Sequence, residues 1–291
     1  MAFFLFVNSS GRQVRVSPYE VLAGVIVQER DVWNLNQAMV DAEVRHFGRR
    51  FSSTGAPPRA RQLLKTKVFR LAGGVPALPA AQRRELARAC LETGAGAGKV
   101  HLAALSQAKL AYVSDILDLA ARYRCKYLAS IVSRNAPRPQ PGHLSKDYTY
   151  LFERFFYSLD DTASQPLGLV VCGQDAGPLA RQLRVQLERY FRGTLKGRQR
   201  ASLVLPEPLF AGGELACCLD LAGLVAYITS WAFRTKELVE PARYQLSPYK
   251  EQVRALRYRA VRDIGDNPNF VIWGFAVIPD LRMREDRDAE G

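Results

Sequence analysis

FFLFV at residues 3–7, RQVRV at 12–16 and EVLAGVIV at 20–27 decide the fold, because each is a short apolar or alternating run set off by turn residues. Ser9-Ser10-Gly11 separates the first two and Ser17-Pro18 the last two, which predicts an antiparallel meander. The third run is almost wholly apolar, so both of its faces are expected to be covered. Val32, Leu35, Met39 and Val40 then recur at helical spacing and predict a helix over about 30–47.

Beyond a loop-like stretch at 48–60, residues 61–71 read as a short helix or strand, and Pro79 opens a helix over 79–92. Leu110, Val113, Ile116, Leu117 and Ala120 form one face of a helix over 106–123, and KYLASIV at 126–132 reads as a strand. A Pro-rich loop at 135–142 leads to an aromatic helix at 145–159. LGLVVCG at 167–173 has the look of a central strand and is followed by a helix at 176–192. The last elements are a strand at 202–206, an apolar helix at 215–233, a basic helix at 248–262 and a strand at 269–279. The order implies an α/β fold with a mixed β-sheet, an antiparallel meander plus parallel strands, flanked by helices. One domain over 1–279 is expected, with 72–105 as a helical insertion and 280–291 as a charged flexible tail.

The chain has 291 residues, 48% of them hydrophobic, enough to bury a full core. No run of about 18 uncharged apolar residues occurs, so no membrane association is expected. The opening MAFFLFV is too short and lacks the basic leader of a signal peptide. Five cysteines at irregular spacing, with Cys217 and Cys218 adjacent, fit reduced thiols in a cytoplasmic protein better than disulfides or zinc. The net charge of +13 favours a polyanionic partner, nucleic acid first.

The ordered features resemble the bacterial and archaeal domain-of-unknown-function family thirty-eight hundred, regarded as RNase H-like. FVNSSG at 6–11 is similar to that family's apolar strand ending in Asp-Glu-Ser-Gly, and LAGVIV at 22–27 to its second strand. DVWNLNQAM resembles its Trp-containing helix, Leu63-Leu64-Lys65 its Glu-x-Lys element, and LVVCG at 169–173 its acid-terminated strand. LDLAGLVA at 219–226 is similar to its late helix, and AVIPD at 276–280 to its closing strand.

The resemblance implies two divalent ions held by carboxylates that activate water against a phosphodiester. It also places Asn8, Ser9, Leu63, Cys172 and Gly223 where those acids would stand, while Ser10 and Lys65 are kept. Hard Mg²⁺ or Mn²⁺ requires oxygen ligands, preferably charged, so this degenerate set implies no metal and no cofactor. Asp175, three residues after Cys172, and Asp220, nearly one helical turn before Gly223, are the substitutes that would restore a metal-dependent nuclease.

Three basic stretches follow the charge. Arg49, Arg50, Arg59, Arg61, Lys65, Lys67 and Arg70 occur with no acid among them and with Phe51 and Phe69 interleaved, the composition of a nucleic-acid path. Arg184, Arg192 and Arg198 stand out in a second stretch over 181–200, and Arg254, Arg257 and Arg259 in a third. GAGAGKV at 94–100 lacks the full phosphate-loop pattern and reads as a linker. Cys172 and Ser9 lack the contexts of thiol and serine nucleophiles.

The sequence therefore predicts a catalytically inactive RNase H-like protein that binds DNA or RNA. What the resemblance implies further is a place as a subunit of a bacterial defence or mobile-element complex. The alternatives are an active Mg²⁺- or Mn²⁺-dependent nuclease using Asp175 and Asp220, and a protein–protein scaffold subunit.

Overall fold

A computed structural model describes residues 1–11, 17–50, 59–94, 98–162, 165–173, 178–212, 216–234, 242–264 and 267–283. Strand β1 (Ala2–Ser10) pairs antiparallel with β2 (Tyr19–Gln28), from Phe3 opposite Gln28 to Ser10 opposite Val21. The expected strand at 12–16 lies outside the described residues. The third antiparallel strand is instead β3 (Lys126–Ser133), which pairs along the other side of β2 from Tyr19–Ser133 to Ile26–Lys126.

Among the described residues, five helices separate β2 from β3: α1 (Glu29–Phe47), α2 (Ala60–Leu64), α3 (Thr66–Ala72), α4 (Ala80–Thr93) and α5 (Lys99–Arg122). Sequence adjacency hides such a pairing, because the chain returns to β2 only after all five helices have been laid down. The local reason for the return is that β2 is buried on both faces and needs an apolar neighbour on each edge. KYLASIV supplies one.

After β3 come α6 (Lys146–Asp160), β4 (Leu167–Gly173), α7 (Pro178–Gly193), α8 (Leu195–Arg200), β5 (Leu209–Ala211) and α9 (Ala216–Ala232). The chain ends through α10 (Ser247–Ala255), β6 (Arg259–Ile264), β7 (Asn267–Trp273) and β8 (Phe275–Ile278). The main sheet has the order β5-β4-β1-β2-β3-β8. Strand β4 runs parallel to β1, β5 parallel to β4, and β8 parallel to β3. This is the mixed sheet expected, flanked by helices on both faces.

Alternation along the strands divides the core into two layers. Phe6, Ala23, Val25, Val171 and Ala129 face a layer built from α1, α5, α9 and α10. Val7, Leu22, Ile26, Cys172 and Leu128 face the opposite layer, built from α6 and α7. Helix α9 is apolar around its whole circumference because it is enclosed, lying over β1 and β2 beneath α1 and α10. The region expected as an insertion joins the first layer through Ala87 and Leu91 of α4 and Leu105 of α5.

Three expected elements differ. Residues 202–206 contribute a single bridge, Val204 to Gly168, and the edge strand is β5 instead. The expected helix at 248–262 stops at Ala255, and its distal half becomes β6, paired with β7 in a separate ribbon. The expected strand at 269–279 breaks at Gly274 into β7 and β8, which belong to different sheets. A Cβ at Gly274 would lie 2.7 Å from the Tyr127 carbonyl oxygen, so the crossing of backbones there excludes any larger residue. Past β8, Leu281 is buried beside Val132, Ala136 and Ile278, and its N–H donates to the Pro137 carbonyl at 3.0 Å.

All five cysteines are free thiols, as their spacing predicts. Among the described residues no helix is long and apolar enough to cross a membrane.

Candidate functional site

Asn8 lies near the end of β1 on the face covered by α9. Its Nδ2 donates to the Leu219 carbonyl at 2.9 Å, and its Oδ1 accepts the Ser9 N–H at 2.8 Å. Gly223 stands directly over it: a Cβ there would come 2.9 Å from Asn8 Nδ2. The structure thus brings Asn8 and Gly223 together, but as a packed amide against a helix with no side chain. Both polar ends of that amide are engaged by the backbone, one as donor and one as acceptor.

Cys172 is not part of this cluster. Val7 is its register partner, and both belong to the α6–α7 layer, so its thiol points away from Asn8. Burial pushes that thiol up to about 11, which keeps it protonated and inert. The position on β4 that shares a face with Asn8 is Gly173, again without a side chain. Ser9 is exposed, and a cavity of about 440 Å³ at this end of the sheet is lined by Asn8, Ser9, Cys172 and Gly173 together with Tyr148 and Phe210. Leu63 is a buried core residue, and Asp175 lies outside the described residues.

Asp220 does meet another carboxylate. Burial raises its pKa to about 6, and the charge of Glu43 on α1 adds to that, while Arg59 partly offsets it. Glu43 is buried at 5% exposure, an acid on the inward face of α1 one turn after Met39. The sequence carries a signal for it, a charge set in the apolar stripe of α1, but nothing in the stripe says which acid it meets. Burial also pushes the neighbouring Cys217 thiol up to about 12, with Glu43 and Asp220 adding to the rise.

These donors do not fit a two-ion centre. Asn8 offers a neutral oxygen already hydrogen-bonded, Gly223 and Gly173 offer nothing, and Cys172 faces the wrong layer. Among the described residues no three His, Cys, Asp or Glu side chains are placed to hold one metal ion.

The basic stretches differ in how their charge is balanced. Arg59, Arg61, Lys65, Lys67 and Arg70 are exposed along α2 and α3, and none of them forms a salt bridge among the described residues, although the charge of Arg59 acts on Asp220. Arg49 and Arg50 are half-buried just before them. In the second stretch Arg184 pairs with Glu207 at 3.3 Å and Arg192 with Glu188 at 3.1 Å. Arg198 donates to the Arg192 carbonyl at 3.1 Å. Arg200 is buried and joined to Glu153 at 2.6 Å, to the Thr149 carbonyl at 3.1 Å and to the Tyr190 hydroxyl. In the third, Arg257 stacks on Trp273 with 3.8 Å from guanidinium carbon to ring centre. Of the glycine-rich stretch at 94–100, residues 95–97 lie outside the described residues, Gly94 follows the end of α4, and Lys99 and Val100 open α5.

No protein-family model matches the chain, and comparisons with curated proteins and with solved structures likewise give no match.

Proposed function

We propose that this chain is a catalytically inactive, RNase H-like protein that binds DNA or RNA through the surface of α2 and α3, as a cytoplasmic subunit of a larger assembly. The observation that carries the reading is the row of five exposed cations at Arg59, Arg61, Lys65, Lys67 and Arg70, of which only Arg59 acts on an acid, Asp220, among the described residues. Unpaired cations release no neighbour when they meet a phosphate, so their full charge is available to displace counterions. The net charge of +13 supports the same reading.

The sheet supports the RNase H-like part. Three antiparallel strands, β1, β2 and β3, are extended on the far side of β1 by β4 and β5 running parallel to it, as that class of fold requires. The loss of chemistry rests on the packing of Asn8 against Gly223 and Leu219, which fills the place where acids would meet metal. The test is fluorescence anisotropy with single-stranded and duplex oligonucleotides at low salt. Binding that weakens steeply as salt is added supports the reading, and an absence of binding at low salt sinks it.

The adjacency of Asp220 and Glu43 favours a second reading, a metal-dependent nuclease in which Asp220 and Asp175 supply carboxylates for Mg²⁺ or Mn²⁺. Mn²⁺-dependent cleavage abolished by Asp220→Asn would establish it. The main reading expects no cleavage by either protein.

A further inference from the structure

On the α9 side of the sheet, a cavity of about 270 Å³ opens between the end of β1 and the junction of α2 with α3. Arg61, Lys65 and Arg243 line it, together with Ser10, Thr66 and Tyr227. No carboxylate lines it, and none pairs with these three cations among the described residues. Like charges are crowded nearby as well: the Lys109 ammonium is pushed down by burial and then by the charge of Lys65.

Arg243 is held rigidly. Its Nη1 donates to the Tyr227 hydroxyl at 2.8 Å and its Nη2 to the Leu64 carbonyl at 2.8 Å. Its guanidinium lies 5.6 Å from the Trp231 ring centre and 5.8 Å from that of Phe69. Its Nε is buried and finds no acceptor among the described residues. A buried donor without an acceptor is costly unless a ligand supplies one. At the rim, Gly11 takes φ +93°, and a Cβ there would strike the Tyr19 carbonyl oxygen at 2.2 Å, so the strand can turn away only with glycine.

We propose that this cavity, walled by Arg61, Lys65 and Arg243, binds a phosphate monoester, the 5′-phosphorylated end of a nucleic-acid strand. The proposal rests on the nucleic-acid reading and narrows it from any phosphate to a terminal one. An internal diester carries one charge, whereas a monoester carries about −1.5 to −2 at pH 7 and offers three strong acceptor oxygens. Three cations with no counter-acid match the second better than the first. Arg61 and Lys65 supply charge from exposed positions, while the fixed Arg243 supplies direction.

The test compares two oligonucleotides of one sequence, one ending in a 5′-phosphate and one in a 5′-hydroxyl, by anisotropy at constant salt. The phosphorylated strand is expected to bind about tenfold tighter. That preference should vanish in the Arg61→Gln/Lys65→Gln protein and shrink as pH falls below about 6, where the monoester gains a proton. Neither side chain is in an ion pair among the described residues, so the variant should melt as the parent does. Equal affinity for the two strands overturns the terminal-phosphate site while leaving nucleic-acid binding intact. Calorimetry with inorganic phosphate separates the remaining outcomes. Lys65-dependent phosphate binding without oligonucleotide binding keeps the cavity as an anion site but overturns a strand end as its ligand. Binding of neither overturns both.

Discussion

The two faces of the sheet carry similar amounts of positive charge and use it differently. On the α6–α7 face, arginines of the 181–200 stretch are tied to Glu153, Glu188 and Glu207, and Arg200 is built into the core. On the α9 face, the cations of α2 and α3 form no salt bridge among the described residues, while the charge of buried Glu43 acts on half-buried Asp220. On the α6–α7 face Arg184, Arg192 and Arg200 are committed to acids, while Arg181, Arg189, Lys196 and Arg198 stay exposed without a carboxylate partner among the described residues. On the α9 face almost the whole row is uncommitted. Composition alone does not separate the two, since both stretches are rich in arginine.

Removing charge should therefore have opposite consequences on the two faces. The largest effect is expected from Arg200→Ala, which leaves half-buried Glu153 with one partner fewer and removes a bond to the Thr149 carbonyl. A drop of about 3 kcal/mol is expected in denaturant unfolding. A drop near zero would mean that the α6–α7 face is not held by its charges.

Next comes Arg59→Gln/Lys67→Gln/Arg70→Gln, which should weaken nucleic-acid binding roughly 50-fold at about 0.1 M salt with little change in melting temperature. The three residues lie outside the α2–α3 cavity, so this result is independent of the terminal-phosphate site.

Asn8→Asp probes the packed amide. A carboxylate cannot donate to the Leu219 carbonyl, and repulsion replaces a 2.9 Å hydrogen bond. A destabilisation of about 2 kcal/mol at pH 7 is expected in urea unfolding. An unchanged midpoint would show that an acid is tolerated there.

Asp220→Asn should do the reverse. Its folded pKa of about 6 lies above the ordinary 3.8, so between those values the folded state holds a proton that the unfolded state has lost. Stability attributable to this group therefore falls as pH rises from about 4 to 6. The Asn variant should be more stable than the parent at pH 7 by on the order of 1 kcal/mol, with the gain gone at about pH 4. Equal stabilities at both pH values would remove the case for a raised Asp220 pKa. The smallest effect is reserved for Arg184→Gln/Arg192→Gln/Arg198→Gln, whose nucleic-acid affinity should fall by less than about threefold, since the acids that pair two of these cations already offset them.

Much of this architecture is legible in the sequence because period and turn residues act locally. The strands at 3–7, 20–27, 126–132 and 167–173 and the helices at 30–47 and 145–159 all recur close to their expected bounds. What the sequence withholds is long-range. The partner of β2 is β3, far along the chain, and 269–279 divides between two sheets because Gly274 crosses under Tyr127. Asn8 and Gly223, distant in sequence, lie against each other, whereas Cys172 faces the opposite layer, because one step along a strand reverses the face. Glu43 and Arg243 carry no legible role in the sequence because their meaning depends on what packs against them, Asp220 for one and Tyr227 with the Leu64 carbonyl for the other.

The salt dependence of binding tests the central claim most directly. The logarithm of the association constant should fall linearly with the logarithm of salt concentration for the parent. The slope should become shallower by about 2.7 in Arg59→Gln/Lys67→Gln/Arg70→Gln, because three cations no longer neutralise phosphates there. Arg184→Gln/Arg192→Gln/Arg198→Gln should leave it unchanged. A slope that shifts equally in both triple variants, or binding with no salt dependence in the parent, would contradict the division of labour between the two faces.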